Sequence, residues 1–295
     1  MGIDAPIGVF DSGVGGLTVA REIMRQLPEE RMVYFGDTAR LPYGTKSKDT
    51  VVRFSRQIVR FLKTKDVKAI VIACNTATAY GLEEIKRELE IPVIGVIDAA
   101  ARVAGAVTRN GRVGVVGTTG TIESGMYEKA LKKYNKEAQV YGKACPLLVS
   151  LVEEGWLHDM ITEEVVSRYL KDLEYKSIDT LILGCTHYPL LRSTFSKVAG
   201  EDVTLVNPAY EVAMELGELL DKKGLSCGKG VAKEKKKYEF FVSDAAEKFC
   251  NFANSILPYD IERVKQINIE AFEAEETESL FVTAGMAGQA VSKRR

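Results

Sequence analysis

Two cysteines carry the chemistry open to this chain. Cys74 ends the apolar run Ile70-Val71-Ile72-Ala73 and is followed by Asn75-Thr76-Ala77-Thr78. Cys185 ends Leu181-Ile182-Leu183-Gly184 and is followed by Thr186-His187. An apolar run that stops at a small polar group and opens a helix is the strand-to-helix corner of an α/β unit, where open sheets place their ligands. Two such corners, each with a thiol, predict a two-thiol site. If both face one cleft, one thiol takes a proton from a carbon acid while the other donates one, which inverts a stereocentre. A free thiol ionises near pH of about 8.5, so neighbouring donors or a helix start can supply thiolate at neutral pH. His187 stands where it could tune Cys185. Asp11 could orient an amine or tune Cys74.

Each residue also has a plainer reading. Free cysteines are commonly buried small hydrophobes, and Cys145, Cys227 and Cys250 are placed in that class. His187 alone could be a structural histidine. A redox couple of Cys74 and Cys185 is less natural at their wide spacing. The cysteines number five, no CxxC clip exists and there are two histidines. That excludes a zinc site from the reading and fits a reducing cytoplasm better than a disulfide scaffold.

The elements that must position the thiols are read from the rest of the chain. Its 295 residues suffice for one large domain or two modest ones. Apolar content is 46% and charged content 27%, ordinary for a folded globular protein. A net charge of -1 gives no field that attracts nucleic acid or an anionic membrane. No run is apolar and long enough to span a bilayer, and the start of the chain lacks a signal-peptide pattern.

Ile7-Gly8-Val9-Phe10 reads as a strand leading to Asp11-Ser12-Gly13-Val14-Gly15-Gly16 and a helix from Leu17. Taken alone, Asp11 and Ser12 read as caps of that helix. The glycine spacing is not that of a dinucleotide fingerprint or a P-loop. Further strands are expected at 32–37, 92–96, 112–117, 139–144, 203–206 and 238–243, with helical patterning at 47–65, 99–107, 161–173, 189–191 onward and 209–220. Ile97 and Asp98 mark a crossover, and Asp244 caps a helix reaching Asn254. Alternation of strand and helix predicts mostly parallel sheets. Residues 113–119 repeat the pattern of 7–13 at nearly the separation of the two cysteine corners, which points to two related α/β units. Lys233 to Lys237 reads as an exposed basic loop. The acidic stretch Glu270 to Glu278 and the residues after it read as an extension.

These motifs resemble the glutamate racemases of the cofactor-independent aspartate/glutamate racemase superfamily. The resemblance rests on Phe10-Asp11-Ser12-Gly13-Val14-Gly15-Gly16-Leu17, Gly36-Asp37-Thr38 through Pro42-Tyr43-Gly44, Ala73-Cys74-Asn75-Thr76-Ala77, Gly117-Thr118-Thr119-Gly120-Thr121 and Gly184-Cys185-Thr186-His187-Tyr188-Pro189-Leu190. The blocks occur in family order and cover the chain to about residue 268.

The resemblance implies two pseudo-symmetric α/β domains, each an open mostly parallel sheet, facing a shared cleft. Their expected bounds are 1–97 with 207–268, and 98–206, leaving 269–295 as a C-terminal extension. It implies interconversion of L-glutamate and D-glutamate with no cofactor and no metal, supplying D-glutamate for peptidoglycan in the cytoplasm. Cys74 would act on D-glutamate and Cys185 on L-glutamate, with Asp11 partnering Cys74, His187 partnering Cys185 and Glu153 as a further contributor. Substrate would lie among Asp11, Ser12, Pro42, Tyr43, Gly44, Asn75, Thr76, Thr118, Thr121, Thr186 and His187. Thr76 and Thr186 would hold the α-carboxylate, and Ser12 and Asn75 the α-amino end. A homodimer is implied, and no nucleic-acid or membrane partner. Three other readings stand beside it: an aspartate racemase, a racemase-like binding scaffold and a thiol redox protein.

Overall fold

The computed structural model of the chain describes residues 2–174, 176–228, 238–261 and 263–273. Two parallel sheets organise them. The first contains β1 (Ile7–Asp11), β2 (Met32–Gly36), β3 (Ala69–Ile72), β4 (Val93–Gly95), β9 (Tyr238–Val242) and β10 (Val264–Gln266), in the order β10-β9-β2-β1-β3-β4. The second contains β5 (Arg112–Gly117), β6 (Gln139–Ala144), β7 (Thr180–Gly184) and β8 (Thr204–Val206), in the order β6-β5-β7-β8.

The segment β2-β1-β3-β4 and the whole of the second sheet have the same strand order. β1 matches β5, and β3 matches β7. The repeated sequence pattern therefore marks the two central strand pairs, β1 with β3 and β5 with β7. β1, β2, β3 and β7 are buried at every position. This explains why they read as unbroken apolar runs: a parallel strand with helices on both faces has no solvent side.

Helices cover both faces of each sheet. On the first, α1 (Leu17–Gln26), α10 (Pro208–Lys222) and α11 (Ala246–Ile256) bury one face, and α2 (Lys48–Lys63) and α3 (Asn75–Glu88) the other. On the second, α7 (Leu147–Glu153), α8 (Met160–Glu174) and α9 (Arg192–Ala199) lie on one side. The other side is covered by α4 (Val96–Val107) and α6 (Met126–Tyr134). α5 (Thr119–Glu123) follows β5 directly. No helix among the described residues is long and apolar enough to cross a membrane.

Several boundaries differ from expectation. β4 stops at Gly95, and α4 starts at Val96 with no crossover at Ile97 and Asp98. Val96, Ile97, Ala99 and Ala100 are all buried, and periodicity alone does not tell such a helix start from a strand. The sequence reading did not anticipate α5 or α6. A 3-10 turn, Tyr188–Leu191, precedes α9. Asp11 and Ser12 do not cap α1, whose first flanking residue is Gly16 with no side-chain cap. Asp244 accepts from the Ala245 amide at 2.7 Å and does not cap α11.

Ile269–Phe272 forms a 3-10 turn that packs on α2, with the Phe272 and Phe61 rings 5.4 Å apart and Glu270 3.1 Å from Arg40. The basic run Lys233 to Lys237 and the chain beyond Glu273 lie outside the described residues.

Candidate active site

The Cys74 corner is built from β3 and α3. The chain leaves the sheet at Ala73, and Cys74 takes the N-cap position of α3, where its Sγ accepts from the Ala77 amide at 3.4 Å. The free N–H groups and dipole of a helix start favour negative charge there. Ser12 Oγ lies 3.7 Å from the same sulfur. Burial, followed by the negative charge of Asp11, pushes the Cys74 thiol up to about 12, against the pull of the Ala77 amide and the Ser12 hydroxyl. Raised in this way, the Cys74 thiol keeps its proton at neutral pH.

The Cys185 corner is built from β7 and the turn after it. Here the neighbour is an imidazole. Cys185 Sγ lies 3.7 Å from His187 Nδ1, and His187 Nε2 lies 3.1 Å from Glu153 Oε1 at the end of α7. Burial opposes a charge on His187. The bonds to Cys185 and Glu153, with the charges of Cys185 and Asp11, outweigh it and bring the ring to about 10. Burial also opposes the Glu153 carboxylate, yet the His187 bond and charge hold it below the usual range. The result is a charged imidazole beside the thiol, the counter-ion that a thiolate at 185 needs.

The two corners meet across one small cavity of about 30 Å³. Both thiols line it, with Ser12, Pro42, Tyr43, Gly44, Asn75, Thr76, Thr118, Glu153, Thr186 and His187. Asp11 and Thr121 stand behind the wall. Asp11 is fully buried, accepts from the Gly13 amide at 3.0 Å and takes a longer bond from Thr186 Oγ1 at 3.4 Å. Burial raises its pKa, opposed by His187 and by the amides of Gly16, Gly13 and Ser12. Its effect on Cys74 is electrostatic.

Small residues and hydroxyls bring the walls together. An added Cβ on Gly15 would lie 2.5 Å from His187 Nδ1, so only glycine lets that loop reach the second domain. Thr18 Oγ1 donates to the Thr186 carbonyl at 2.9 Å. Thr76 Oγ1 lies 2.9 Å from Thr118 Oγ1 and 3.2 Å from Thr121 Oγ1, and Thr118 donates to Thr121 at 3.0 Å. This ring of three hydroxyls spans the cleft from α3 to α5. The loop carrying Pro42, Tyr43 and Gly44 is anchored by the Tyr43 hydroxyl on buried Asp37. Asp37 also binds Arg40 at 2.8 Å and Ser243 at 2.8 Å.

The sequence reading missed three wall residues, Gly13, Leu41 and Val149. Gly13 lies inside the motif that runs from Phe10 to Leu17. Leu41 and Val149 are apolar residues whose place at the cleft is set by tertiary contacts. It also missed Tyr127, which is 3% exposed on α6 and donates to Asn75 Oδ1 at 2.6 Å.

Residues 7–216 match the Asp/Glu/Hydantoin racemase family. The glutamate racemase of Geobacter metallireducens is 48% identical over 265 residues, which cover 90% of this chain and 97% of that protein. Among solved structures, a glutamate racemase isoform of Bacillus anthracis superposes with a TM-score of 0.85 at 46% identity, covering 89% of this chain and 97% of that one. The glutamate racemase of Francisella tularensis, solved in complex with D-glutamate, gives a TM-score of 0.84 at 37% identity, covering 91% of this chain and 99% of that one.

Proposed function

Because the chain belongs to the glutamate racemases within the Asp/Glu/hydantoin racemase family, we propose that it interconverts L-glutamate and D-glutamate, without a cofactor, by proton transfer between Cys74 and Cys185. The observation that carries the mechanism is that both thiols line one small cavity, each reached from a different sheet.

From L-glutamate, the Cys185 thiolate takes the α-proton. The carbon becomes a carbanion, and the Cys74 thiol donates its proton to the opposite face. D-glutamate leaves with Cys185 protonated and Cys74 as thiolate. From D-glutamate the roles reverse. His187, held by Glu153, is the counter-ion of Cys185; Asp11 sets the field at Cys74. The α-hydrogen of an amino acid is a weak acid, so the carbanion must be stabilised while it exists. Fixed donors aimed at the developing charge do this. Thr76 and Thr186 hold the α-carboxylate, and the backbone amides of Tyr43 and Gly44 hold a carboxylate. Ser12 meets the α-amino group. The three-hydroxyl ring of Thr76, Thr118 and Thr121 re-aims its protons from one another to the substrate, because a carboxylate only accepts.

The product role is supply of D-glutamate for peptidoglycan. Free thiols on both sides of the reaction suit the reducing cytoplasm. A homodimer is supported by the apolar side chains exposed around α7 and α8: Leu147 is 49% exposed, Met160 86% and Ile161 54%.

The test is a chiral assay of the pure protein with L-glutamate and with L-aspartate, with chelator present and no pyridoxal phosphate added. D-glutamate as the faster-formed product supports the reading. D-aspartate alone would move the substrate to the shorter acid and leave the two-thiol mechanism standing. Reversible disulfide formation without racemisation would favour the redox alternative. Sedimentation at micromolar concentration tests the dimer.

A further inference from the structure

One buried side chain touches both cysteine corners. Tyr127 sits on α6 in the second domain. Its ring packs under Gly184, the residue before Cys185, so closely that an added Cβ there would lie 2.9 Å from Tyr127 Cε2. Its hydroxyl donates to Oδ1 of Asn75, the residue after Cys74, at 2.6 Å. The same Cβ on Gly184 would meet the Val116 carbonyl oxygen at 2.8 Å, so glycine at 184 makes room for both the neighbouring strand and the ring. Tyr127 is 3% exposed and Asn75 is 3% exposed.

We propose that Tyr127 is a positioning residue for the racemase reaction: it ties the Cys185 corner to the Cys74 corner and fixes which end of the Asn75 amide faces substrate. A phenol that donates to Oδ1 occupies the amide oxygen. The group left for the cleft is Nδ2, a donor. A donor serves a carboxylate and repels nothing there, whereas an ammonium needs an acceptor. Asn75 therefore belongs to a carboxylate of the substrate, in place of the α-amino end expected from sequence. Burial and the nearby Cys185 keep the phenol protonated, so this orientation does not change across neutral pH.

The inference rests on the racemase reading, and the experiment separates the two. Tyr127→Phe keeps the ring against Gly184 and removes only the tie. The expected result is a loss in kcat/KM of about ten- to a hundredfold, the scale of a misplaced substrate group. The α-deuterium isotope effect on kcat should rise, because proton transfer limits turnover more strongly. A residue that served folding alone would not move that isotope effect. Asn75→Ala should show a similar loss, and the double variant should be no worse than Asn75→Ala. Parental kcat/KM within twofold in Tyr127→Phe, or losses that multiply in the double variant, would overturn the proposal. If Tyr127→Phe does not fold, Asn75→Asp tests the same orientation: it keeps an oxygen for the Tyr127 hydroxyl and replaces the Nδ2 donor, so it should lose activity on the same scale, and near-parental kcat/KM there would overturn the proposal too. A parent protein that does not racemise glutamate would sink the racemase reading itself.

Discussion

The two cysteine corners share a backbone plan and differ in chemistry. Each follows a central strand of a sheet with the order edge, centre, centre, edge in its shared part. Cys74 then caps a helix of 14 residues and meets a hydroxyl. Cys185 meets an imidazole backed by a carboxylate. The sheet symmetry brings two thiols to one cavity from different sheets. The local asymmetry gives them different surroundings, a thiol held protonated by burial and Asp11 at 74 and a cationic imidazole beside the sulfur at 185. A racemase must run both ways, so each thiol has to serve as acid and as base. The comparison shows that the fold supplies the geometry twice, while separate residues set the proton inventory on each side.

The largest expected effect breaks the pair. Cys74→Ala and Cys185→Ala should each lower racemisation by about a thousandfold or more, since each removes one obligatory proton carrier. Circular dichroism and thermal unfolding should show that both variants fold. Near-parental turnover in either folded variant would remove that thiol from the mechanism.

His187→Asn sharpens the comparison by acting on one side. The equilibrium constant between enantiomers is unity in achiral solvent, so kcat/KM must stay equal in the two directions. Asymmetry therefore has to appear in kcat and in the α-deuterium isotope effects. The expected result is a fall in kcat for L-glutamate of about ten- to a hundredfold, with a smaller fall from D-glutamate. Equal changes in kcat and in isotope effect for both enantiomers would reject a Cys185-specific role. Glu153→Gln should repeat the pattern at about tenfold, because it weakens the charge on His187 without removing the ring.

The smallest effect is on stability against pH. His187 ionises at about 10 in the folded protein. Its unfolded value is about 6.5. A raised pKa means that the folded state binds the proton more tightly, so the stabilisation is complete below about 6.5 and fades as pH rises through the folded value. The stability difference between parent and His187→Asn should therefore shrink from pH 6.5 toward pH 10, measured by urea unfolding at several pH values. A difference that grows over that window would contradict the assignment of the charge.

Much of this arrangement was legible in the sequence, for a physical reason. Strands buried on both faces must be apolar throughout, and the residues at their ends must be small or polar where the cleft begins. Cys74, Thr76, Cys185 and His187 stand in such places, so local pattern finds them. Glu153 does not: it ends a short helix with no distinctive pattern of its own, and the resemblance alone pointed to it. Tyr127 left no local signal. In Met126–Tyr134 it looks like one more apolar residue on an amphipathic helix, and only the meeting of two domains brings its hydroxyl to Asn75. The α4 start at Val96 was misread because buried apolar residues suit a strand end and a helix start equally.

The central claim is that two thiols act from opposite faces, and isotope placement tests it most directly. L-glutamate is converted in D2O, and α-deuterium is measured separately in both enantiomers at early conversion. Two opposed thiols predict D-glutamate that carries α-deuterium, delivered by Cys74, while the remaining L-glutamate keeps its α-protium. D-glutamate that retains the original proton, or deuterium that enters both enantiomers at equal rates from the start, would mean one group handles the proton on both faces and would contradict the account.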